Sequence, residues 1–257
     1  EFPLGQCYSN TSYPTGFNFN RRPWVSGHTY KNFGYDPVGK VMVFTGHNPW
    51  SYLFDPKVGD WIGRSEKPAL MNYGGSFYTL TLCATDKALY CWGGQYGNNN
   101  ALHKWDWPGR KWEQVKMTGA KLPGPAVDHS GLAYDAKRDR LVFFPKKYDG
   151  TLFAMDCKTN ELSELTPGGS NDAARTVGFW RELAYVPGAD AIVVVGASAA
   201  KAGAPAPAPD AKGDPKKAEP RDTLVYDCAG NEWKTLAIPG PHPAGQGGRN
   251  VSCGSCF

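Results

Sequence analysis

The chain has 257 residues and a net charge of +4, with 13% aromatic residues, 31 glycines, 21 prolines and nine tryptophans. This composition suits many short strands joined by tight turns. The mild charge, without a Lys/Arg block interleaved with aromatic residues, does not indicate a nucleic-acid partner, and no apolar run approaches the roughly 18 residues of a membrane helix.

Residues 1–27 show no clear alternation of apolar and polar side chains, and we predict a lead-in that ends a preceding, partial repeat unit. From His28 a repeated order begins. Each unit opens with a strand that ends in a small–aromatic pair such as Ala133-Tyr134, followed by a turn rich in Asp, Pro and Gly. A continuous apolar run such as Leu141–Phe144 or Ile192–Val195 comes next, and such runs predict strands that are covered on both faces.

The second half of each unit is a strand ending in aspartate, a turn, and an aromatic or leucine six residues after the aspartate. The four pairs are Asp55 with Trp61, Asp106 with Trp112, Asp156 with Leu162, and Asp227 with Trp233. The aspartates lie 51, 50 and 71 residues apart. A period near 50 predicts a repeat architecture, with units at about 28–75, 76–128, 129–179 and 180–248 and the start of a further unit at 249–257.

The long third interval contains an insertion between the predicted second and third strands of the fourth unit. Residues 199–220 consist mostly of Ala, Pro, Lys, Gly and Asp without an aromatic residue. Such a segment cannot bury enough apolar surface to offset its ordering entropy, so we predict a flexible loop.

The order of small–Tyr–Asp, apolar run with glycine pair, Leu-x-aromatic-Asp and Trp resembles the kelch repeat. Only Gly93-Gly94 keeps the full glycine pair, and Pro145-Lys146 departs from it. The resemblance covers residues 28–240 and implies an all-β fold, a β-propeller of four-stranded blades, with four complete units and partial blades at both termini. Because kelch rings usually have six or seven blades, we expect further blades from a longer chain; the alternative is a closed ring of four.

The chemistry-bearing residues do not assemble into a catalytic pattern. Kelch-like blades resemble those of galactose oxidase, whose copper site needs two histidines, two tyrosines and a cross-linked cysteine. The five histidines form no close pair or ligand spacing: His28, His47, His103, His129 and His242. Cys253 and Cys256 form a CxxC without a second pair at zinc-site spacing, and most of the seven cysteines are expected to be buried thiols. We predict no catalytic residue, metal or cofactor, with a copper-radical oxidase as the alternative.

The repeat aspartates are interpreted as turn residues: Asp36, Asp55, Asp106, Asp156 and Asp227. The predicted ligand surface is instead the set of loops between second and third strands, where aromatic residues adjoin amides and charges: His47, Asn48, Trp50, Gln95, Tyr96, Asn98, Asn99, Lys146, Tyr148 and Asp149. Such loops suit stacking on a sugar or anchoring a peptide. The sequence therefore predicts a non-catalytic scaffold for a protein or glycan, with no membrane span; for its compartment, an extracellular or periplasmic location is preferred.

Overall fold

The computed structural model describes residues 33–45, 50–68, 71, 80–93, 100–123, 130–145, 148–175, 183–194 and 222–237. These residues form four sheets that are antiparallel except for two short parallel additions, an all-β architecture compatible with a propeller. The predicted lead-in, the 199–220 insertion and the further unit at 249–257 lie outside the described residues. Within those residues, no helix is long and apolar enough to cross a bilayer.

The chain divides into two compact units, and the first comprises residues 1–116 and 124–127. It contains two four-stranded sheets in which each strand pairs with its sequence neighbours. Sheet 1 consists of β1 (Phe33–Asp36), β2 (Val41–Thr45), β3 (Trp50–Asp55) and β4 (Asp60–Glu66). Sheet 2 consists of β5 (Leu80–Ala84), β6 (Leu89–Gly93), β7 (Leu102–Asp106) and β8 (Lys111–Val115).

The second unit, residues 117–123 and 128–257, contains two sheets of the same plan, each enlarged by one short strand. Sheet 3 consists of β9 (Thr118–Gly119), β10 (Gly131–Asp135), β11 (Arg140–Phe144), β12 (Leu152–Asp156) and β13 (Glu161–Leu165). Sheet 4 consists of β14 (Gly168–Gly169), β15 (Leu183–Val186), β16 (Ala191–Val194), β17 (Asp222–Asp227) and β18 (Glu232–Ala237). One short helix, α1 (Asn171–Arg175), follows β14, and a 3₁₀ turn at Pro187–Ala189 follows β15.

The hairpin turns explain why aspartate recurs at the strand ends. The Asp55 and Asp156 carboxylates accept hydrogen bonds from backbone amides two and three residues later, at 2.8–3.4 Å. The turn then needs a left-handed residue four positions after the aspartate, and Gly59 (φ 71°) and Asn160 (φ 58°) supply it. Glycine and asparagine tolerate this conformation best. The prediction that the repeat aspartates are turn residues is therefore confirmed at these positions.

The structure contains two short strands, β9 and β14, that were not predicted from the sequence. Each pairs with the outer strand of a sheet. After β8 the chain continues to β9, which pairs in parallel with β13, and after β13 it continues to β14, which pairs in parallel with β18. Gly119 (φ 83°) and Gly169 (φ 74°) lie at the ends of these strands. A Cβ on Gly119 would lie 2.5 Å from the Leu162 carbonyl oxygen, so both the backbone conformation and the available space require glycine.

The core lies between the sheets of each unit. The second strands are extensively buried, with all five residues of β6 buried and four of the five in β11, as continuous apolar runs predict. Trp112 (4% exposed) and Trp233 (1% exposed) are the second residues of their outer strands and lie opposite Trp105 and Tyr226 of the preceding third strands. Both tryptophans are therefore structural residues.

Candidate functional site

The predicted ligand surface is only partly described by the structure. Its members His47, Asn48, Gln95, Tyr96, Asn98, Asn99 and Lys146 lie outside the described residues. Trp50, Tyr148 and Asp149 are described. They fall at the ends of strands opposite the Asp-containing hairpin turns, with Trp50 in the first unit and the other two in the second.

Trp50 is the first residue of β3, and the side chain of Arg64 packs over its ring. The Arg64 guanidinium carbon lies 3.9 Å from the Trp50 ring centroid, within the range of a cation–π interaction. The register of β3 and β4 produces this contact because Trp50 pairs with Glu66 and Tyr52 pairs with Arg64. Trp50 and Arg64 are half-buried and Glu66 is exposed. This edge of sheet 1 therefore presents an aromatic ring, a guanidinium and a carboxylate together.

Tyr148 is buried and hydrogen-bonded within the second unit, so we expect it to support its loop rather than to contact a ligand. The side chain is only 7% exposed. Its hydroxyl accepts a hydrogen bond from Trp233 Nε1 at 2.8 Å and donates one to Asn171 Oδ1. Burial is the largest cause that raises the pKa of this phenol. The sequence pattern placed Tyr148 correctly in the loop before β12 but did not reveal that the outer strand of sheet 4 covers it.

Asp149 and two residues of α1 form a polar surface in the second unit. Arg175 donates from Nη1 to Asp172 Oδ1 at 2.9 Å and from Nη2 to the Asp149 carbonyl oxygen at 3.1 Å. The Asp149 carboxylate caps its own turn by accepting from the Thr151 amide at 3.0 Å. Asp172 and Arg175 were not predicted as site residues. Their only signal in the sequence is an acidic and a basic residue three positions apart, a helical spacing.

Asp135, Asp190 and Cys228 form the only group of three metal-ligand side chains in the described part of the chain, with donor atoms within 4.8 Å of one another. The carboxylates already have cationic partners. Arg138 donates to both Asp190 oxygens at 2.8 and 3.0 Å and to Asp135 Oδ2 at 3.1 Å. Arg140 Nε donates to the same Asp135 oxygen at 2.9 Å.

The electrostatics of this group favour ion pairing over metal binding. Hydrogen bonds from Arg138 and then Lys137 hold the pKa of the Asp190 carboxyl well below its usual range. Burial raises the pKa of the Cys228 thiol to about 12, and both carboxylates beside it are already paired with arginine. A cation would have to displace two arginines from Asp135, which is 0% exposed. We interpret the group as an ionic connection between sheets 3 and 4.

The comparisons with known proteins show similarity at the level of structure only. No family model matches the sequence, and no curated protein matches it. A solved structure of U3-55K matches with a TM-score of 0.45 and 11% sequence identity, over 82% of this chain and 53% of that chain. The match thus spans about half the length of that protein.

The described site residues fall into two polar surfaces, one in each unit. The first surface consists of Trp50, Arg64 and Glu66, and the second of Asp149, Asp172 and Arg175. The first combines an aromatic ring with both signs of charge. An aromatic residue and an arginine are the types most often found at the energetic centres of protein interfaces.

Proposed function

We propose that the chain is a non-catalytic kelch-type β-propeller that binds a protein or glycan through the loops between second and third strands. On this proposal each sheet is a blade, and the repeat units at about 28–75, 76–128, 129–179 and 180–248 each supply one. The Trp50–Arg64 contact at 3.9 Å carries the proposal, because it places an aromatic–cation pair at the loop end of sheet 1.

The chemistry of this surface accounts for both ligand classes. An arginine offers five N–H donors in a rigid fork that matches a carboxylate, and the Glu66 carboxylate accepts hydrogen bonds from hydroxyls or amines. A tryptophan ring supplies a large apolar area at low entropic cost. With Tyr148 removed, the proposed contacts in the loops are His47, Asn48, Trp50, Gln95, Tyr96, Asn98, Asn99, Lys146 and Asp149.

The test is a binding screen of the full chain against a glycan array and a displayed peptide library. Trp50→Ala and Arg64→Ala are each expected to weaken the best ligand at least tenfold, the effect of losing about 1.4 kcal/mol of binding energy.

A matched control exists in the same unit. Trp107 also carries an arginine, with the Arg110 guanidinium carbon 5.2 Å from its ring centroid, but it lies in the hairpin turn at the other end of the strands. Trp107→Ala should leave binding unchanged. If Trp107→Ala abolishes binding and Trp50→Ala does not, the ligand binds at the turn end and the proposed surface is wrong.

The competing enzyme class gives a distinct result. A copper-radical oxidase of the galactose oxidase type would purify with stoichiometric copper and the absorbance of a tyrosyl radical. Metal analysis together with an absorption spectrum of the oxidised protein therefore separates the two classes, and a radical absorbance would contradict the non-catalytic proposal.

A further inference from the structure

The core of the first unit contains a polar pair, Cys91 and His103, at a repeat position that is apolar or aromatic in the other sheets. Cys91 of β6 lies directly opposite His103 of β7. The equivalent pairs, three residues before the third-strand aspartate, are Phe44 with Tyr52 in sheet 1 and Phe143 with Phe153 in sheet 3. In sheet 4, Leu224 fills the position of His103. Opposite residues on neighbouring strands have Cβ atoms about 5 Å apart on the same face.

His103 is buried without the hydrogen bonds that an imidazole normally makes. The side chain is 0% exposed, and among the described residues neither Nδ1 nor Nε2 has a hydrogen-bond partner. Trp105, two residues further along the same strand face, is 3% exposed, and its Nε1 has no partner in the described part of the chain either. Buried polar atoms are nearly always paired, so unpaired ones in a native core call for a partner such as a water or an ion.

A buried lysine interacts with Cys91, and a methionine shares its buried cluster. Lys67 is 3% exposed and follows β4. Burial lowers the pKa of its ammonium group to about 8, while the charge of Cys91 acts in the opposite direction, so the two groups are close enough to interact. Met71 is 0% exposed and belongs to the same buried cluster as Cys91 and Trp105. A thiol, an imidazole and a thioether are therefore gathered in one apolar core.

We propose that Cys91 and His103 form a binding site for a monovalent thiophilic metal ion, Cu(I). On binding, the S–H bond of Cys91 breaks, its proton leaves to solvent, and a Cu–S bond forms; a lone pair of one His103 ring nitrogen completes the coordination. No electron is transferred.

Charge balance selects the ion. Cu(I) replaces one proton with one positive charge, so the net charge of the core does not change. A divalent ion would instead raise the net charge of this buried site by one, at a desolvation cost. Thiolate and thioether ligands also favour Cu(I) over harder ions, and bound metal holds a coordinating thiol deprotonated even where burial raises its pKa, here to about 12.

The test is an anaerobic titration of the full chain with Cu(I) held by the chromophoric chelator bicinchoninate. The CxxC pair is first removed with Cys253→Ser and Cys256→Ser, so that it does not compete. One equivalent of copper should leave the chelator, and X-ray absorption should show sulfur and nitrogen ligands. In this background Cys91→Ser and His103→Leu should each weaken binding at least tenfold.

Two controls keep the result interpretable. Cys228→Ser removes a buried thiol of sheet 4 with a similarly raised pKa and should leave copper binding unchanged. His103→Leu introduces the residue that sheet 4 has at this position and removes two unpaired nitrogens, so its urea midpoint without copper should not fall below that of the parent. The proposal is overturned if no copper leaves the chelator, or if Cys91→Ser and His103→Leu both bind copper as the parent does.

Discussion

The connection between sheets 1 and 2 differs in chemistry from the connection between sheets 3 and 4. In the first unit it is apolar and depends on glycine. A Cβ on Gly34 would collide with Leu89 and come within 3.2 Å of Leu82, and a Cβ on Gly39 would enter the ring of Trp107. Small residues here allow the next sheet to approach closely.

In the second unit the corresponding connection is ionic. Gly39 lies three residues after Asp36, and Arg138 lies three residues after Asp135, so the two residues occupy the same turn position. Arg138 pairs with both Asp135 and Asp190. The same turn position therefore connects neighbouring sheets in two ways. In the first unit an aromatic ring packs on a glycine, and in the second a guanidinium lies between two carboxylates.

Each unit contains a hydrogen bond of the same kind between an outer-strand tryptophan and the neighbouring sheet. Trp112 Nε1 donates to Ser51 Oγ of sheet 1, and Trp233 Nε1 donates to the hydroxyl of Tyr148 beside sheet 3, both at 2.8 Å. The outer-strand tryptophan thus fastens each sheet to the preceding one in its unit. The contacts of the turn differ between the two units, whereas both units have this buried tryptophan hydrogen bond, with a serine as the acceptor in one and a tyrosine in the other.

The largest expected effect comes from removing the shared contact. Trp233→Ala and Trp112→Ala should each cost about 3–5 kcal/mol, because each deletes a buried indole and leaves a cavity. Trp→Phe at either position keeps most of the packing and should cost about 1 kcal/mol for the hydrogen bond. Chemical denaturation measures these values, with the half-buried Trp61 as a milder control. A loss below about 1 kcal/mol for Trp112→Ala would show that the outer strand is misplaced.

The next largest effect concerns the parallel extension of sheet 4. Gly169→Ala should cost about 2–3 kcal/mol, since alanine is strained at a φ of 74° and its Cβ would collide with the Trp233 carbonyl oxygen. Gly59→Ala separates the two causes. Gly59 has a φ of 71° but, in the described structure, no atom within 4 Å of its built Cβ, so it should show only the backbone cost of about 1–2 kcal/mol. Equal losses in urea denaturation would argue against the collision.

A smaller change tests the apolar connection of the first unit. Gly39→Ala should cost about 1–2 kcal/mol because the Trp107 ring must move away from the new methyl group. The double variant Gly39→Ala with Trp107→Ala supplies the check. If the ring is the obstacle, the alanine at 39 should cost almost nothing once Trp107 is removed. A double-mutant cycle measures this coupling, and additive losses would refute the contact.

The smallest expected effect concerns the ion pairs between sheets 3 and 4, and it is measured as the dependence of the urea midpoint on pH. The pKa of Asp190 is lowered in the folded protein, chiefly by its hydrogen bonds with Arg138, so its contribution to stability is complete above the unfolded value of about 3.9 and is lost as pH falls below it. The urea midpoint of the parent should therefore fall towards that of Asp190→Asn between pH 5 and 2. The screening of partly exposed charges keeps the difference small. A gap between the two proteins that widens on acidification would contradict the assignment.

Local patterns predicted the strands and turns because the forces behind them act over a few residues. Asp156 and Asn160 are four positions apart and close one turn, and the run Leu141–Phe144 is buried on both faces as its composition indicates. The candidate site was less predictable. Trp50 was identified from its loop, but Arg64 was not, because only the register of β3 and β4 brings the two together.

The sequence by itself determined the all-β repeat, the position of each turn aspartate and the repeat position of each outer-strand tryptophan. Only the tertiary structure decided which residue each tryptophan contacts. Tyr148 and Trp233 are 85 positions apart, and nothing in the short-range pattern around Tyr148 distinguishes a buried phenol from an exposed one. Its burial depends on the packing of one sheet against the next, in which side chains distant in sequence compete for the same space and for the same hydrogen-bond partners.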